Sequence, residues 1–371
     1  MVTIRDIAKA VGVSSGTVSR VLNYDSTLSI SPNKRQAILA TAEALNYATP
    51  RARAAKPRRS VLNVSAVAGG AHYAASPIVG NFAGLRMAML HFMTPEEEFA
   101  DPYYIGIRLG IERRCCAYEA DMTKLFGLET VAGAATLNDM SGVVMVGKHA
   151  KATISWMLQA CSNAVLADTK TEAFGGEGAL DCVYSDLELA MSQLLDELTM
   201  RGYVRIGFAG IHDRVDGPDK LYSEGRCKAF VAWLEGREVF DPALVALATL
   251  DHSLGKDMYL VAGYEQTMRL LAQDVRPDAI VTMNDTMAIG AYKALHEAQL
   301  EIGEEIAVVS FNDIPLAQFM SPALSSMKIA SEAIGEASVD LLMERLNGRK
   351  YAKRVNIPTE MIWRESCPNR A

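Results

Sequence analysis

The chain opens with two short amphipathic helices separated by a glycine, a pattern that restricts the folds open to it. Thr3 can cap a first helix over 4–10, which Gly12 ends. Ser14 can cap a second helix over about 15–22. The apolar residues of both helices recur at helical spacing and can share one small core: Ile7, Ala8, Val11, Val18, Val21 and Leu22.

A third helix is predicted over 32–45, because Pro32 suits a first helical position and apolar residues follow at helical spacing. Helix, turn, helix and helix in this order is a DNA-reading arrangement whose second helix enters the major groove. Arg20 is its best base reader, since a guanidinium can bridge O6 and N7 of guanine. Ser15 and Gly16 open that helix and lie nearest to the bases. The predicted DNA contacts are Thr3, Ser14, Ser15, Gly16, Thr17, Ser19, Arg20, Asn23, Lys34, Arg51 and Arg53.

The distribution of charge supports this interpretation. The whole chain of 371 residues carries a net charge of −7, which is unusual for a protein that binds DNA. Residues 1–60, however, hold ten Lys/Arg and three Asp/Glu, a net of +7, whereas the remaining 311 residues carry −14. A basic head on an acidic body is expected where only one end meets phosphate.

Nothing in the sequence indicates catalysis. Residues 12–16 match the G-x-S-x-G elbow of hydrolases, but that motif needs a preceding strand, and here a helix precedes it. The six histidines lack metalloprotease spacing, and no phosphate-binding loop is present. His149 and His212 are predicted in loops that face a ligand-binding cleft, where a surface position is favoured over a role in gating the ligand. We therefore predict no catalytic residue, no metal and no cofactor, and we do not expect an enzyme.

Two further features bear on the compartment. The six cysteines are scattered and include no C-x-x-C, which favours buried reduced thiols over disulfides or a zinc site. No apolar run is long enough to span a membrane. Arg5, Asp6 and Lys9 interrupt the region where a signal peptide would have its apolar core. We therefore expect a cytoplasmic protein that does not contact a membrane.

The head resembles that of the lactose-repressor (LacI/GalR) family. The resemblance is carried by residues 3–23, with Thr-Ile-Arg-Asp-Ile-Ala, Val-Gly-Val-Ser and Thr-Val-Ser-Arg-Val-Leu-Asn, and by Leu45-Asn46-Tyr47. Members of that family bind double-stranded operator DNA as dimers. The resemblance implies that Ser15, Gly16 and Arg20 stand at base-reading positions, and a homodimer is expected.

The linker departs from the family in two ways. A hinge helix that inserts a leucine into the minor groove is usual in the family. Residues 48–57 contain no leucine, Ala54 or Ala55 occupies its position, and Pro57 ends any helix early. The second departure is residues 61–84, rich in Ala, Gly, Ser and Val, which form either a flexible insertion or an added strand over 61–67.

From residue 85 onward, apolar strands alternate with amphipathic helices. This alternation predicts parallel sheets covered by helices on both faces. More than 280 residues is too many for one such core, so two similar lobes are expected. The predicted domains are a head with hinge over 1–58, a linker or insertion over 59–84, and a core over 85–371. Within the core, the first lobe is predicted to comprise about 85–184 and 314–347, and the second about 185–313 and 348–371.

Polar residues follow several of the predicted strands. Ligands of open parallel sheets bind outside the carboxyl ends of the strands, and a cleft between two lobes faces those ends. The candidate ligand-binding residues are Asp168, Arg226, Asn284 and Asn312. Carboxylates, amides and an arginine suit a polyhydroxylated ligand. For Asn284 and Asp313 the alternative is a helix cap.

The core also resembles the family's effector-binding domain, which has the fold of type I periplasmic binding proteins. The resemblance covers residues 284–290 and 310–315 among others, and the Asp101-Pro102-Tyr103-Tyr104 segment is most like the branch that contains the Ebg repressor. It implies a small sugar effector, galactoside-like, in contact with the four candidate residues. Several members carry Asp where Asn312 stands.

The functional hypothesis is a repressor that a sugar releases from its operator. A nucleobase-responsive corepressor on the same scaffold stays open, because Phe174, Phe311 and Tyr184 offer stacking surfaces. A sugar-binding transport component is disfavoured by the basic head and by the lack of a signal peptide. No heptad tail follows Cys367, which favours a dimer over a tetramer.

Overall fold

The structure is a computed structural model that describes residues 3–22, 30–31, 34, 37–38, 41, 82, 84–126, 137–170, 180–216 and 218–371. The chain divides into two compact units, residues 1–69 and 70–371. Most of the predicted third helix, all of the hinge and nearly all of the predicted insertion lie outside the described residues. Within the described ranges, no helix is both long and apolar enough to cross a bilayer.

The first unit contains the two predicted helices, α1 (Ile4–Val11) and α2 (Ser15–Leu22). The predicted cap of α2 is confirmed, since the backbone N–H of Thr17 donates to Oγ of Ser14 over 3.1 Å. Gly12 has a φ of +70°, which allows the sharp turn between the helices. Apolar side chains of both helices form the small core together with Ile38, and its buried members are Ile7, Ala8, Val18, Val21 and Ile38.

The second unit alternates strands and helices as predicted. Its first half contains β1 (Arg86–His91), α3 (Pro95–Ala100), α4 (Pro102–Ala117), β2 (Asp121–Phe126), β3 (Gly142–Val146), α5 (Lys151–Ala160), β4 (Ala164–Ala167), β5 (Asp181–Tyr184) and α6 (Leu187–Met200). Its second half contains β6 (Ile206–Ile211), α7 (Gly225–Glu235), β7 (Val245–Ala248), α8 (Met258–Leu271), β8 (Ala279–Thr282), α9 (Asp285–Glu297), β9 (Ala307–Asn312), β10 (Ser325–Ile329), α10 (Ser331–Leu346), β11 (Arg354–Asn356) and β12 (Thr359–Ile362).

The described strands form two six-stranded sheets, which define two lobes. The first sheet has the order β11-β5-β4-β3-β1-β2, and the second has the order β12-β10-β9-β8-β6-β7. All pairings are parallel except that of β10 with β12. The central strands β3, β4, β8 and β9 are buried at every position, which explains their mostly apolar sequences. The two-lobed α/β fold is therefore confirmed.

The predicted division between the lobes is wrong near the C-terminus. Strand β10, expected in the first lobe, pairs with β9 in the second sheet, whereas β11, expected in the second lobe, pairs with β5 in the first. Helix α10 packs on α4 and on β3 to β5 in the first lobe. The chain thus crosses between lobes after β5, after β10 and after β11. The crossings follow from which strands pair with each other. The alternation of apolar segments along the sequence does not reveal that pairing.

The six cysteines are free thiols, as the sequence predicted. Five are buried, and Cys116 on α4 is exposed. Burial raises the pKa of Cys115 to about 12, so this thiol stays protonated and unreactive.

Candidate functional site

A cavity of about 240 Å³ lies between the lobes, at the carboxyl ends of both sheets. This is the position at which open parallel sheets bind ligands, and the volume lies just below the usual range of roughly 300–1,000 Å³ for small-molecule sites. Its wall is built by residues that end or directly follow strands of both sheets: Phe92, Lys148, Asp168, Ser185, His212, Met283 and Asn312. We call this cavity the cleft.

Three of the four candidate ligand-binding residues, Asp168, Arg226 and Asn312, line the cleft. Asn284 does not, and it is only 1% exposed. Its Oδ1 accepts a hydrogen bond of 2.9 Å from the backbone N–H of Met287 and caps α9. The alternative of a helix cap is therefore correct for Asn284. Only the other atom of its amide group, Nδ2, contacts a residue of the cleft.

Asp168 follows β4 in a strained conformation that aims its carboxylate into the cleft. Its φ of +66° is uncommon for a residue other than glycine, and such strain concentrates at binding sites. Oδ1 accepts a hydrogen bond of 2.7 Å from the hydroxyl of Tyr103. Burial raises the pKa of Asp168 to about 6, against the opposing effects of Tyr103 and of the charge on Arg226.

Arg226 stands at the start of α7, opposite the carboxylates. Its Nε donates to Oε1 of Glu224 over 2.9 Å, and Nη1 donates to the carbonyl oxygen of Met283 over 2.8 Å. These two bonds hold the guanidinium plane in one orientation. A fixed arginine beside carboxylates offers paired donors and acceptors to neighbouring hydroxyls of a ligand.

Asp101, a buried carboxylate of the cleft, was not predicted from the sequence as a ligand contact. It caps α4 and is 5% exposed. Its carboxylate accepts hydrogen bonds from Asn284 Nδ2 over 2.9 Å and from Asn312 Nδ2 over 3.3 Å. Burial raises its pKa to about 6, although the bonds from Asn284 and from the Tyr103 backbone oppose this. The signal present in the sequence was an Asp-Pro pair at a helix start, which indicates a cap rather than a ligand site.

Aromatic side chains form the apolar part of the wall. Phe92, Tyr103, Tyr104, Tyr184 and Tyr259 line the cleft, and the rings of Tyr103 and Tyr104 lie edge to face at 5.0 Å. Aromatic faces complete a site of the mostly apolar kind that binds small ligands.

Of the three aromatic residues considered for stacking on a nucleobase, the structure places one in the wall of the cleft. Phe311 is fully buried and does not line the cleft, Phe174 lies outside the described residues, and Tyr184 does line it.

The two histidines predicted in cleft loops differ in position, and neither lies at the open surface. His149 is buried under Phe92, and its Nε2 lies 3.1 Å from the carbonyl oxygen of Val146. Burial lowers its pKa to about 4. His212 lines the cleft and is half-buried. The cleft position is therefore correct for His212, whereas the surface position favoured for His149 is wrong, because its ring packs beneath Phe92.

Ion pairs join the two lobes around the cleft. Nζ of Lys148 lies 2.5 Å from Oδ2 of Asp213. Glu97 on α3 contacts Arg214 at 3.5 Å and His252 at 2.5 Å. These contacts join the lobes in the arrangement that the structure shows, with α3 packed against the short helical segment His252–Asp257.

In the first unit, most of the predicted DNA contacts that the structure describes are exposed to solvent. Side chains on α2 and near its start face solvent, and the exposed candidates are Thr3, Ser14, Ser15, Gly16, Arg20 and Lys34. Thr17 and Ser19 are half-buried. Asn23, Arg51 and Arg53 lie outside the described residues.

The chain matches two family models. Residues 3–50 match the model of bacterial regulatory proteins of the lacI family, and residues 195–367 match that of a periplasmic binding protein-like domain. A solved structure of the lac repressor dimer bound to operator and the anti-inducer ONPF has a TM-score of 0.62 at 20% identity, covering 99% of each chain. The complex of the regulator CelR with cellobiose has a TM-score of 0.63 at 21% identity, covering 99% of this chain and 100% of that one.

Similar sequences extend over the whole chain. The transcriptional repressor MelR of Bacillus subtilis is 32% identical and covers 99% of this chain and 98% of its own. The regulator GalR of Lacticaseibacillus casei is 30% identical and covers 99% of both. A lactose operon repressor of Rhizobium radiobacter is 64% identical over 105 residues, which is 28% of this chain and 93% of that sequence.

A helix-turn-helix head and a two-lobed ligand-binding core define a DNA-binding transcriptional repressor, a regulator rather than an enzyme. The chain belongs to the LacI family.

Proposed function

We propose that this regulator represses a sugar-utilisation operon and leaves its operator when a galactoside-like sugar occupies the cleft. The observation that carries the proposal is the convergence of Asp101, Asp168, Arg226 and Asn312 beside tyrosine rings. A sugar hydroxyl both donates and accepts, so it can satisfy carboxylates and a guanidinium at once. Two carboxylates facing the same volume disfavour anionic ligands such as sugar phosphates, because like charges repel at short range.

Similar proteins support the choice of sugar. One relative is named a lactose operon repressor, and a regulator of the same fold is described in complex with cellobiose. The segment Asp101-Pro102-Tyr103-Tyr104, which resembles the Ebg branch, supplies three cleft residues, one of which, Asp101, also caps α4. These observations favour a galactoside of one or two rings, which suits the volume of the cleft.

The regulator acts in the cytoplasm as a homodimer that places two heads one helical turn apart on a pseudo-palindromic operator. Arg20 reads bases, flanked by the small Ser15 and Gly16, and the remaining predicted head and hinge residues hold the phosphates. Occupancy of the cleft changes the angle between the lobes and thereby the spacing of the heads. Effector and operator are then coupled by roughly 1–3 kcal/mol, in both directions.

A two-stage experiment tests the proposal. Lactose, melibiose, methyl β-galactoside, cellobiose, ribose, galactose 6-phosphate, guanine and hypoxanthine are screened by thermal shift on the full chain. Each hit is then added to a gel shift with operator DNA enriched from a random library. We expect a neutral galactoside to raise the melting temperature and to release the DNA. Release or tightening by a purine alone would contradict the sugar assignment, and no effect of any hit on DNA affinity would refute the switch.

A further inference from the structure

The carboxylate of Asp101 lies where the two lobes meet. Within the first lobe, Oδ1 accepts from the backbone N–H of Tyr103 over 3.3 Å and so caps α4. From the second lobe, Asn284 donates to Oδ2 over 2.9 Å and Asn312 donates to Oδ1 over 3.3 Å. The same carboxylate lines the cleft. One side chain therefore contacts both lobes and the space for the ligand.

Two helix ends meet at this carboxylate. Asn284 uses Oδ1 to cap α9, so its Nδ2 points away from that helix and toward Asp101. The start of α4 and the start of α9 thus face each other across one negative charge. Helix N-termini stabilise a negative charge, whereas burial disfavours it. The amides of the second lobe therefore offset part of the cost of burying the charge when the lobes meet.

The other described bridges between the lobes differ from this one in their environment. Lys148, in the pair with Asp213, has a side chain that is 32% exposed against 7% for its partner, and Glu97, at 11%, pairs with His252 at 52% and with Arg214 at 21%. Each of these pairs keeps its cationic partner in contact with solvent, which weakens an ion pair. Asp101 and both of its amide partners are buried, so removal of one donor leaves an unsatisfied buried group, which costs more.

We infer that Asp101 is a further effector-binding residue of this site and that its bonds to Asn284 and Asn312 couple effector binding to closure of the lobes. The inference deepens the proposed function and rests on it for the identity of the effector. A ligand hydroxyl that donates to this carboxylate adds to the same bridge, so the bound ligand strengthens the closed arrangement.

An exchange of two side chains tests the bridge. In Asp101→Asn, the N–H group of the new amide faces the N–H group of Asn284, so two donors meet without an acceptor. In Asn284→Asp, two carboxylates face each other. Asp and Asn are equally good helix caps, so α4 and α9 keep their caps in both variants. In the double variant, the amide introduced at position 101 would donate to the carboxylate introduced at position 284, while its oxygen still accepts from Asn312 and Tyr103. The exchange therefore restores the bridge with its direction reversed.

The first readout needs no effector. We expect small-angle X-ray scattering of the sugar-free protein to give a larger radius of gyration for each single variant, and the double variant to return toward the parent. The same radius for all four proteins would overturn the bridge, whether or not a sugar acts as effector.

The second readout uses lactose, measured by calorimetry and by operator gel shift. Each single variant should bind lactose about 5- to 150-fold more weakly, the cost of an unsatisfied buried group. Each should also show a smaller effect of lactose on operator affinity. The double variant should recover the coupling, which a purely structural role would not produce. A double variant as weak as the singles would overturn the inference, whereas a parent protein that binds no sugar would instead refute the proposed function.

Discussion

The hydroxyl of Tyr103 donates a hydrogen bond of 2.7 Å to Oδ1 of Asp168, joining the start of α4 to the end of β4. Tyr103 is buried, and Asp168 is held in a left-handed conformation by its loop. The orientation of the carboxylate is thus fixed before any ligand arrives. Such preorganisation lowers the cost of ordering a binding site on association.

Replacing Tyr103 with Phe removes this bond while keeping the ring. We expect Tyr103→Phe to weaken sugar binding by about 10- to 150-fold, equivalent to roughly 1.5–3 kcal/mol for a bond to a charged acceptor. Titration calorimetry measures the effect. The matched control is Tyr118→Phe, which removes a bond of 2.6 Å to Asp340 between α4 and α10, a pair outside the cleft. That variant should lose stability but bind sugar normally. Equal losses of affinity in both variants would contradict the role given to Tyr103.

The order of strands and helices was readable from the sequence because buried parallel strands are continuously apolar. Three strands escaped this signal. Strands β11 and β12 lie at sheet edges and carry no buried residue, and β10 contains Ser325, Ser326 and Lys328. Their assignment to a lobe depends on pairing partners far away in the chain, which no local pattern reveals. The crossings between lobes were therefore misplaced.

The site was predictable in part for a similar reason. Asp168 and Asn312 stand at strand ends, where a parallel sheet binds ligands, so position alone identified them. Asp101 precedes a helix and looks like a cap, which it is, and its second role arises only from closure of the lobes. Asn284 showed the opposite outcome, since its position suggested a ligand contact and its side chain is used as a cap and a bridge.

Removal of the guanidinium of Arg20 should strongly reduce the selectivity of DNA binding. A good bidentate contact to guanine contributes roughly 1–3 kcal/mol of discrimination. Arg20→Ala should therefore lower the ratio of operator to random-DNA affinity by about 5- to 150-fold, measured by gel shift at fixed salt, with the melting temperature unchanged. Lys9→Ala, which removes an exposed positive charge from the last turn of α1, is the matched control. This variant should weaken binding to operator DNA and to random DNA alike. Unchanged selectivity in Arg20→Ala would refute its role as a base reader.

The close approach of α4 and α10 depends on Gly335. A Cβ atom there would lie 2.1 Å from the carbonyl oxygen of Ile107, a contact that backbone atoms cannot relieve without moving a helix. Overpacking of this kind costs about 1–3 kcal/mol, and occasionally more. Gly335→Ala should lower the melting temperature by several degrees. In Gly225→Ala, the new Cβ would meet nothing nearer than Glu188 Cγ at 3.7 Å, so the stability should hardly change. A stable Gly335→Ala protein would contradict the packing.

Asp285 makes the stability of the second lobe depend on pH. Its carboxylate accepts from the Ser326 hydroxyl over 2.6 Å and from the Ile314 backbone over 2.7 Å, yet burial raises its pKa from 3.8 to about 7. Between these values the folded state holds a proton that the unfolded state releases. The contribution of Asp285 is therefore fully present below the unfolded pKa and is lost as the pH rises through about 7, by up to about 1.4 kcal/mol per unit.

Asp285→Asn removes this titration while keeping an oxygen that can accept from Ile314. Thermal unfolding of both proteins at several values between about pH 4 and 8 isolates this contribution, because every other group titrates identically in the pair. The melting temperature of the variant minus that of the parent should increase as the pH rises across this range, whatever the offset at low pH. Two parallel curves would mean that Asp285 ionises in the folded protein as easily as in the unfolded chain, and its burial between α9 and β10 would then be refuted.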